Sequence, residues 1–170
     1  KPDLDYALIR RENNETGVIT VFSVRPRDVF SKPYSSDDPE LQNRDQIIFF
    51  GGEEGDLRRE AVGDLIEELR AQTRPGAKAL VVSVSGPVHF PGEYPLANGM
   101  RVSDLIKAGG NMKDDAYVLS AELTRYRYND DGGVSIDHVT IQSLSALTDN
   151  PERDLVLQPY DNLRIKPLPD

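Results

Sequence analysis

The chain has 170 residues, 29 of them acidic and 20 basic, for a formal net charge of −9. That length suits one medium domain or two small ones, and the acidic balance disfavours docking on nucleic acid or anionic lipid. No apolar run reaches the roughly 18 residues a spanning helix needs, and the absence of cysteine excludes disulfides and thiolate metal sites.

The chain opens at Lys1 with no visible signal peptide, which reads as an excised or processed piece of a longer protein. In the first segment, Asp5 to Phe50, Ala7-Leu8-Ile9-Arg10 reads as a short strand. Asn13-Asn14-Glu15-Thr16-Gly17 is turn chemistry, because Asn and Gly tolerate left-handed backbone angles. Val18 to Phe22 is a β-rich strand, so the two form a hairpin. Ser31 to Asp38, rich in Ser, Pro and Asp, is a surface loop. Gln46 to Phe50 is short and apolar, which predicts a buried strand.

A helix follows. Asp56 can cap it, and Leu57, Ala61, Val62, Leu65, Ile66 and Leu69 recur at spacings of three and four, which puts them on one face. Arg58, Arg59, Glu60, Asp64, Glu67, Glu68 and Arg70 fall on the polar side, and Pro75-Gly76 is the stop. Such a stripe predicts packing on the helix's own domain, with a partner contact as the alternative.

The third segment runs from Ala77 to Asp170. Ala79 to Val84 is a strand, Gly86 to Gly92 a turn, and Glu93 to Leu96 extended again. Val102, Leu105 and Ile106 have helical spacing, ended by Gly109-Gly110. Val118 to Tyr128 and Val134 to Ile141 are strands around the turn Asn129 to Gly133. Leu144 to Leu147 is a short helix, and Leu163-Arg164-Ile165 closes the sheet after the turn Pro159 to Asn162. The order is α+β, with a helix covering one face of a mixed sheet.

The first and third segments resemble each other. Leu41-Gln42-x-x-Asp45-x-Ile47 matches Leu157-Gln158-x-x-Asp161-x-Leu163 at a spacing of 116 residues (157 against 41). At that spacing Arg11 meets Arg127, Asn13 meets Asn129, Gly17 meets Gly133 and Val18 meets Val134. The first copy lacks the hairpin and helix that precede Val118 in the second. Residues 1–52 therefore read as the C-terminal half of a repeat, 53–76 as a connecting helix, and 77–170 as a complete domain. The missing half either lies outside this stretch or comes from another chain, because an incomplete sheet leaves unpaired edge groups.

Val82-Ser83-Val84-Ser85-Gly86-Pro87-Val88-His89-Phe90-Pro91-Gly92-Glu93-Tyr94-Pro95-Leu96 is similar to the opening of soluble ligand-binding β-grasp (SLBB) domains, as is Val102 to Gly110. A glycine after a strand, a Pro-Gly-x-Tyr turn, a short helix ending in Ala-Gly-Gly and a closing Leu-x-x-x-Asp-x-aliphatic entry all stand here in order. The chain most resembles the SLBB repeats of bacterial capsule and exopolysaccharide export proteins. That resemblance implies a β-grasp fold, a periplasmic location at the outer membrane, and homo-oligomers with other SLBB domains. The motif residues Gly86, Pro91, Gly92, Tyr94, Gly109, Gly110 and Asp161 have structural reasons: tight turns, a helix stop and a turn-bonding carboxylate.

Catalytic chemistry finds little support. His89 and His138 are the only histidines and suggest no triad or metal pair. The acid pairs Asp37-Asp38, Glu53-Glu54, Asp114-Asp115 and Asp130-Asp131 are adjacent loop charges, unlike two carboxyls set across a cleft. Asp130-Asp131 lacks the alternating ligands of a calcium loop. No enzyme activity, metal or cofactor is expected. Tyr126 and Tyr128 alternate on one strand face and Arg125 and Arg127 on the other, which makes these four the candidate ligand or assembly face, for a saccharide or a neighbouring subunit.

Overall fold

The computed structural model describes residues 1–53 and 55–170. The first unit is an antiparallel sheet of β1 (Pro2–Glu12), β2 (Ile19–Val24) and β3 (Gln46–Gly51), in the order β2-β1-β3. The β1–β2 turn forms as its residues dictate. The Asn13 side chain accepts from the Glu15 and Thr16 amides, and Gly17 takes φ +69°. A short helix, α1 (Pro26–Ser31), follows β2, where the sequence reading saw no element before the loop. Pro at the first helical turn and Asp28 in that turn are its signals.

The expectation of a buried β3 fails. Among the described residues β3 is an edge strand that pairs only with β1, and Ile47 and Phe49 are exposed. Only Phe50 is fully buried on it.

Helix α2 (Gly55–Ala71) buries Val62, Leu65, Ile66 and Leu69, as its periodicity requires. Two assignments change. Leu57 is 59% exposed, and Arg58, placed on the polar side from its charge, is 2% exposed. The helix also stops at Ala71, before Pro75-Gly76, where Thr73 Oγ1 donates to the Leu69 carbonyl at 2.7 Å.

The second unit is a five-stranded mixed sheet. Its strands are β4 (Val81–Ser85), β5 (Gly92–Pro95), β6 (Ala116–Tyr128), β7 (Val134–Gln142) and β8 (Asn162–Pro167), ordered β5-β4-β8-β6-β7. β4 and β8 run parallel and the other pairs antiparallel. Helix α3 (Val102–Ala108) and a 3₁₀ helix (Leu144–Asp149) complete the unit. Met100, Leu105, Leu123, Leu147, Leu163 and Ile165 form its centre, none more than 1% exposed. β8 is the central strand, which explains why both its inward residues are fully enclosed.

The two sheets share a register. Pro2, Ala7, Ile9 and Arg10 of β1 face Gly51, Phe49, Ile47 and Gln46 of β3. Ala116, Ala121, Leu123 and Thr124 of β6 face Pro167, Ile165, Leu163 and Asn162 of β8 in the same sequence, with a register irregularity at the same step. Ala7 pairs with Val24, and Ala121 with Ile141. A short helix follows each hairpin, α1 after β2 and the 3₁₀ helix after β7. The spacing of 116 holds for β3 against β8. β1 superposes on β6 two residues differently, so Arg11 corresponds to Arg125, and not to Arg127 as the uniform spacing implied.

Candidate functional site

The shared register is fixed in both units by one device. Arg11 donates from Nε and Nη2 to the two oxygens of Asp45, at 2.9 and 2.7 Å, and from Nη2 to the Glu40 carbonyl at 3.0 Å. The Gln42 amide donates to Asp45 Oδ2 at 2.8 Å. Arg125 repeats each bond. It donates to Asp161 at 3.1 and 2.7 Å and to the Val156 carbonyl at 3.0 Å, and the Gln158 amide donates to Asp161 Oδ2 at 2.8 Å. The turn residues Arg44 and Tyr160 both take positive φ, +70° and +67°. A bidentate guanidinium–carboxylate pair is directional, so it locks the loop that enters the third strand. The Arg11 hydrogen bonds, then the Gln42 amide, hold the Asp45 carboxyl below its ordinary pKa.

What covers the two sheets differs. In the second unit the inward residues of β6 and β8 are buried in the core, and β8 has β4 on its far edge. In the first unit Ala7 and Ile9 of β1 are buried, but the β3 positions are bare. Phe49 is 60% exposed against 1% for Ile165, and Ile47 is 44% against 0% for Leu163. Leu41 is likewise exposed where Leu157 is buried. With Ala7, Ile9 and Phe30 they line an apolar groove of about 110 Å³, and the far edge of β3 pairs with no strand among the described residues. Clustered exposed apolar side chains beside an open strand edge are the signature of a contact surface.

The opposite face of the first sheet is closed. Tyr6, Leu8, Ile19, Val21 and Phe50 join one core with α2 and the second unit. Arg58 is the pin of that junction. Its guanidinium stands 4.4 Å from the Phe90 ring centre, 5.0 Å from Phe50 and 5.8 Å from Tyr6. It also donates to the Ala108 carbonyl at 2.7 Å and pairs with Asp3. Its spacing to Val62, Leu65 and Leu69 was the available signal, since those positions share one helix face.

The motif residues build the second unit. Gly86 takes φ +94°, and a Cβ there would run into the Ile165 carbonyl, so the strand exit requires glycine. Gly110 takes φ +80° with the Phe90 ring against its backbone, whereas Gly109 ends α3 at ordinary φ. Gly92, at φ +149° and exposed, opens β5 directly after Pro91. The Tyr94 hydroxyl finds its partner in the Phe90 carbonyl at 2.6 Å, and burial raises its pKa.

The four candidate face residues divide. Arg125 is engaged by Asp161, and Arg127 pairs with Asp137 on β7. Tyr126 and Tyr128 lie on the outer face of the β6–β7 hairpin, paired in register with Ile136 and Val134. Tyr128, Val134 and Ile136 are each more than half exposed, and Lys78 Nζ sits 4.3 Å from the Tyr128 ring centre.

His89 and His138 are exposed and apart. Asp38 and Asp131 accept amide bonds within their own turns, while Glu54 of the pair Glu53-Glu54 lies outside the described residues. Among the described residues no cluster of three or more His, Cys, Asp or Glu could hold a metal, and no helix is long and apolar enough to cross a membrane.

Residues 81–136, from β4 into β7, match the family model of the SLBB domain. No curated protein matches the chain.

Proposed function

We propose, from the match of residues 81–136 to the SLBB domain model, that the chain is a non-enzymatic binding and assembly module of a polysaccharide-export protein. SLBB domains are soluble ligand-binding modules found in such proteins. In that role the module sits in the periplasm, joined to the outer membrane through other parts of its parent. Residues 77–170 are the complete SLBB domain, β-grasp in type. Residues 1–52 are the C-terminal half of a second copy, joined through α2.

One observation carries this reading. The three strands of the first unit reproduce the β7-β6-β8 part of the second, down to the arginine–aspartate turn, yet among the described residues no strand pairs with β3 as β4 pairs with β8. The half-domain then offers a parallel-strand edge and an apolar face to whatever completes it. A neighbouring SLBB unit has the matching chemistry, and the product is an extended assembly with no bond made or broken.

Light scattering of the chain over a wide concentration range tests the proposal. A dimer or larger species that grows with concentration is the expected result. A strict monomer at the highest concentration would overturn the assembly role of this stretch.

A further inference from the structure

Each sheet has two edge strands, β2 and β3 in the first and β5 and β7 in the second. An edge carries backbone N–H and C=O groups that invite another strand. Two of these edges are closed. On β2, Gln72 Oε1 accepts from the Ile19 amide at 2.8 Å and Gln72 Nε2 donates to the Ile19 carbonyl at 2.9 Å. The Asn98 amide donates to the Val21 carbonyl at 2.8 Å. β5 is only four residues long, ends in Pro95, which has no N–H, and is tied to α2 by the Glu93–Arg70 ion pair.

β3 and β7 stay open, for among the described residues neither pairs with a strand on its far side. Both are flanked by exposed apolar side chains, and their shapes differ. Beside β3, Leu41, Ile47 and Phe49 border the concave groove of about 110 Å³. On β7, Val134 and Ile136 are exposed, with Tyr128 opposite Val134. The β6–β7 pairing runs on to Tyr128 and Val134, whereas the last β6 partner on β8 is Asn162, opposite Thr124. This end of the hairpin therefore extends beyond the central strand. A groove accepts such a projection and not a second groove.

The second unit supplies a template for the join. β4 closes β8 in parallel with Val82 and Val84, two β-branched residues on one face, and Val84 pairs with Leu163, the counterpart of Ile47. Val134 and Ile136 repeat that pattern on a strand with a free edge. Parallel pairing also brings the approach to β3, with exposed Arg44, alongside the approach to β7, with exposed Asp130 and Asp131. Their charges are opposite.

We infer, resting on the assembly role proposed above, that β7 of one copy of this chain pairs in parallel with β3 of the next, where Val134 and Ile136 cover Leu41, Ile47 and Phe49. The two contact surfaces are different, so the contact is heterologous and repeats from copy to copy.

The test is light scattering of the full chain, of Phe49→Lys, of Ile136→Lys and of an equimolar mixture of the two variants. Both positions are more than half exposed, so each variant should keep the parent's circular dichroism and Tm. Should either unfold, Ile47→Lys or Val134→Lys, also at exposed positions, takes its place. Each variant alone should be monomeric at concentrations where the parent associates. In the mixture the intact β7 of Phe49→Lys meets the intact β3 of Ile136→Lys, giving one species of twice the 18.9 kDa chain mass and none larger. An Ile136→Lys chain that associates like the parent would overturn this pairing and leave the assembly role standing, as would a Phe49→Lys chain that does so or a mixture that stays monomeric. A parent that is monomeric at every concentration would overturn both.

Discussion

Replacing Asp161 with asparagine should destabilise the protein more than any exposed charge change. Asp161 is fully buried and accepts three hydrogen bonds, two from Arg125 and one from the Gln158 amide. Asparagine keeps the volume, but turns an NH₂ toward a guanidinium that has only donors. Breaking a buried ion pair by removing one partner costs about 3–5 kcal/mol. The Arg125 side chain retains 15% exposure and can rehydrate in part, which points to the lower end, about 3 kcal/mol. For a chain of this size that is a fall in Tm of roughly 6–12 °C. Asp137→Asn is the control: it also removes a carboxylate from an arginine, but Arg127 and Asp137 are 68% and 36% exposed. The expected loss there is about 0–1 kcal/mol. Urea and thermal unfolding followed by circular dichroism measure both. An Asp161→Asn variant that loses less than about 1 kcal/mol, or no more than the control, would refute the argument that this turn locks the third strand.

Tyr6→Phe removes a buried hydroxyl that has no partner, so the free protein should gain about 1–3 kcal/mol, read as a raised Tm. A loss of stability would show that the hydroxyl is satisfied. The Asp45 carboxyl has a folded pKa lowered by Arg11 and the Gln42 amide. Its contribution is therefore complete above the unfolded carboxylate pKa and is lost as pH falls through the folded one. Acid unfolding monitored in Asp45→Asn should be flatter below about pH 4 than in the parent. Gly86→Ala should unfold the second unit or lower its Tm sharply, because neither φ +94° nor the Ile165 carbonyl accommodates a Cβ. Gly17→Ala, with the same positive φ sign but open space around it, should cost far less.

The hairpins, the helix periodicity and the turn motif were legible because each is a local pattern. Asn13 and Gly17 specify their turn, and Leu157 to Leu163 specify theirs. Exposure was not legible for β3, since Ile47-Ile48-Phe49-Phe50 reads the same whether the strand is central or at an edge. Its place is set by its having no β4 counterpart among the described residues, a fact about neighbours and not about the strand. Arg58 misled through its charge, although its position belongs to the stripe of Val62, Leu65 and Leu69. Two aromatic rings and Tyr6 make that burial tolerable, and they come from three distant segments. The matched arginines were obscured by loop length. The β6–β7 hairpin extends beyond its counterpart, so a uniform spacing pairs Arg11 with Arg127 while the fold pairs it with Arg125.

The open edge of β3 is the centre of this account, and amide hydrogen exchange by mass spectrometry reads it directly. A peptide covering Gln46–Gly51 should exchange quickly at low protein concentration and slow as concentration rises, while one covering Asn162–Pro167 stays protected throughout. Exchange at Gln46–Gly51 that is as slow as at Asn162–Pro167 in dilute protein, or that does not change with concentration, would contradict it.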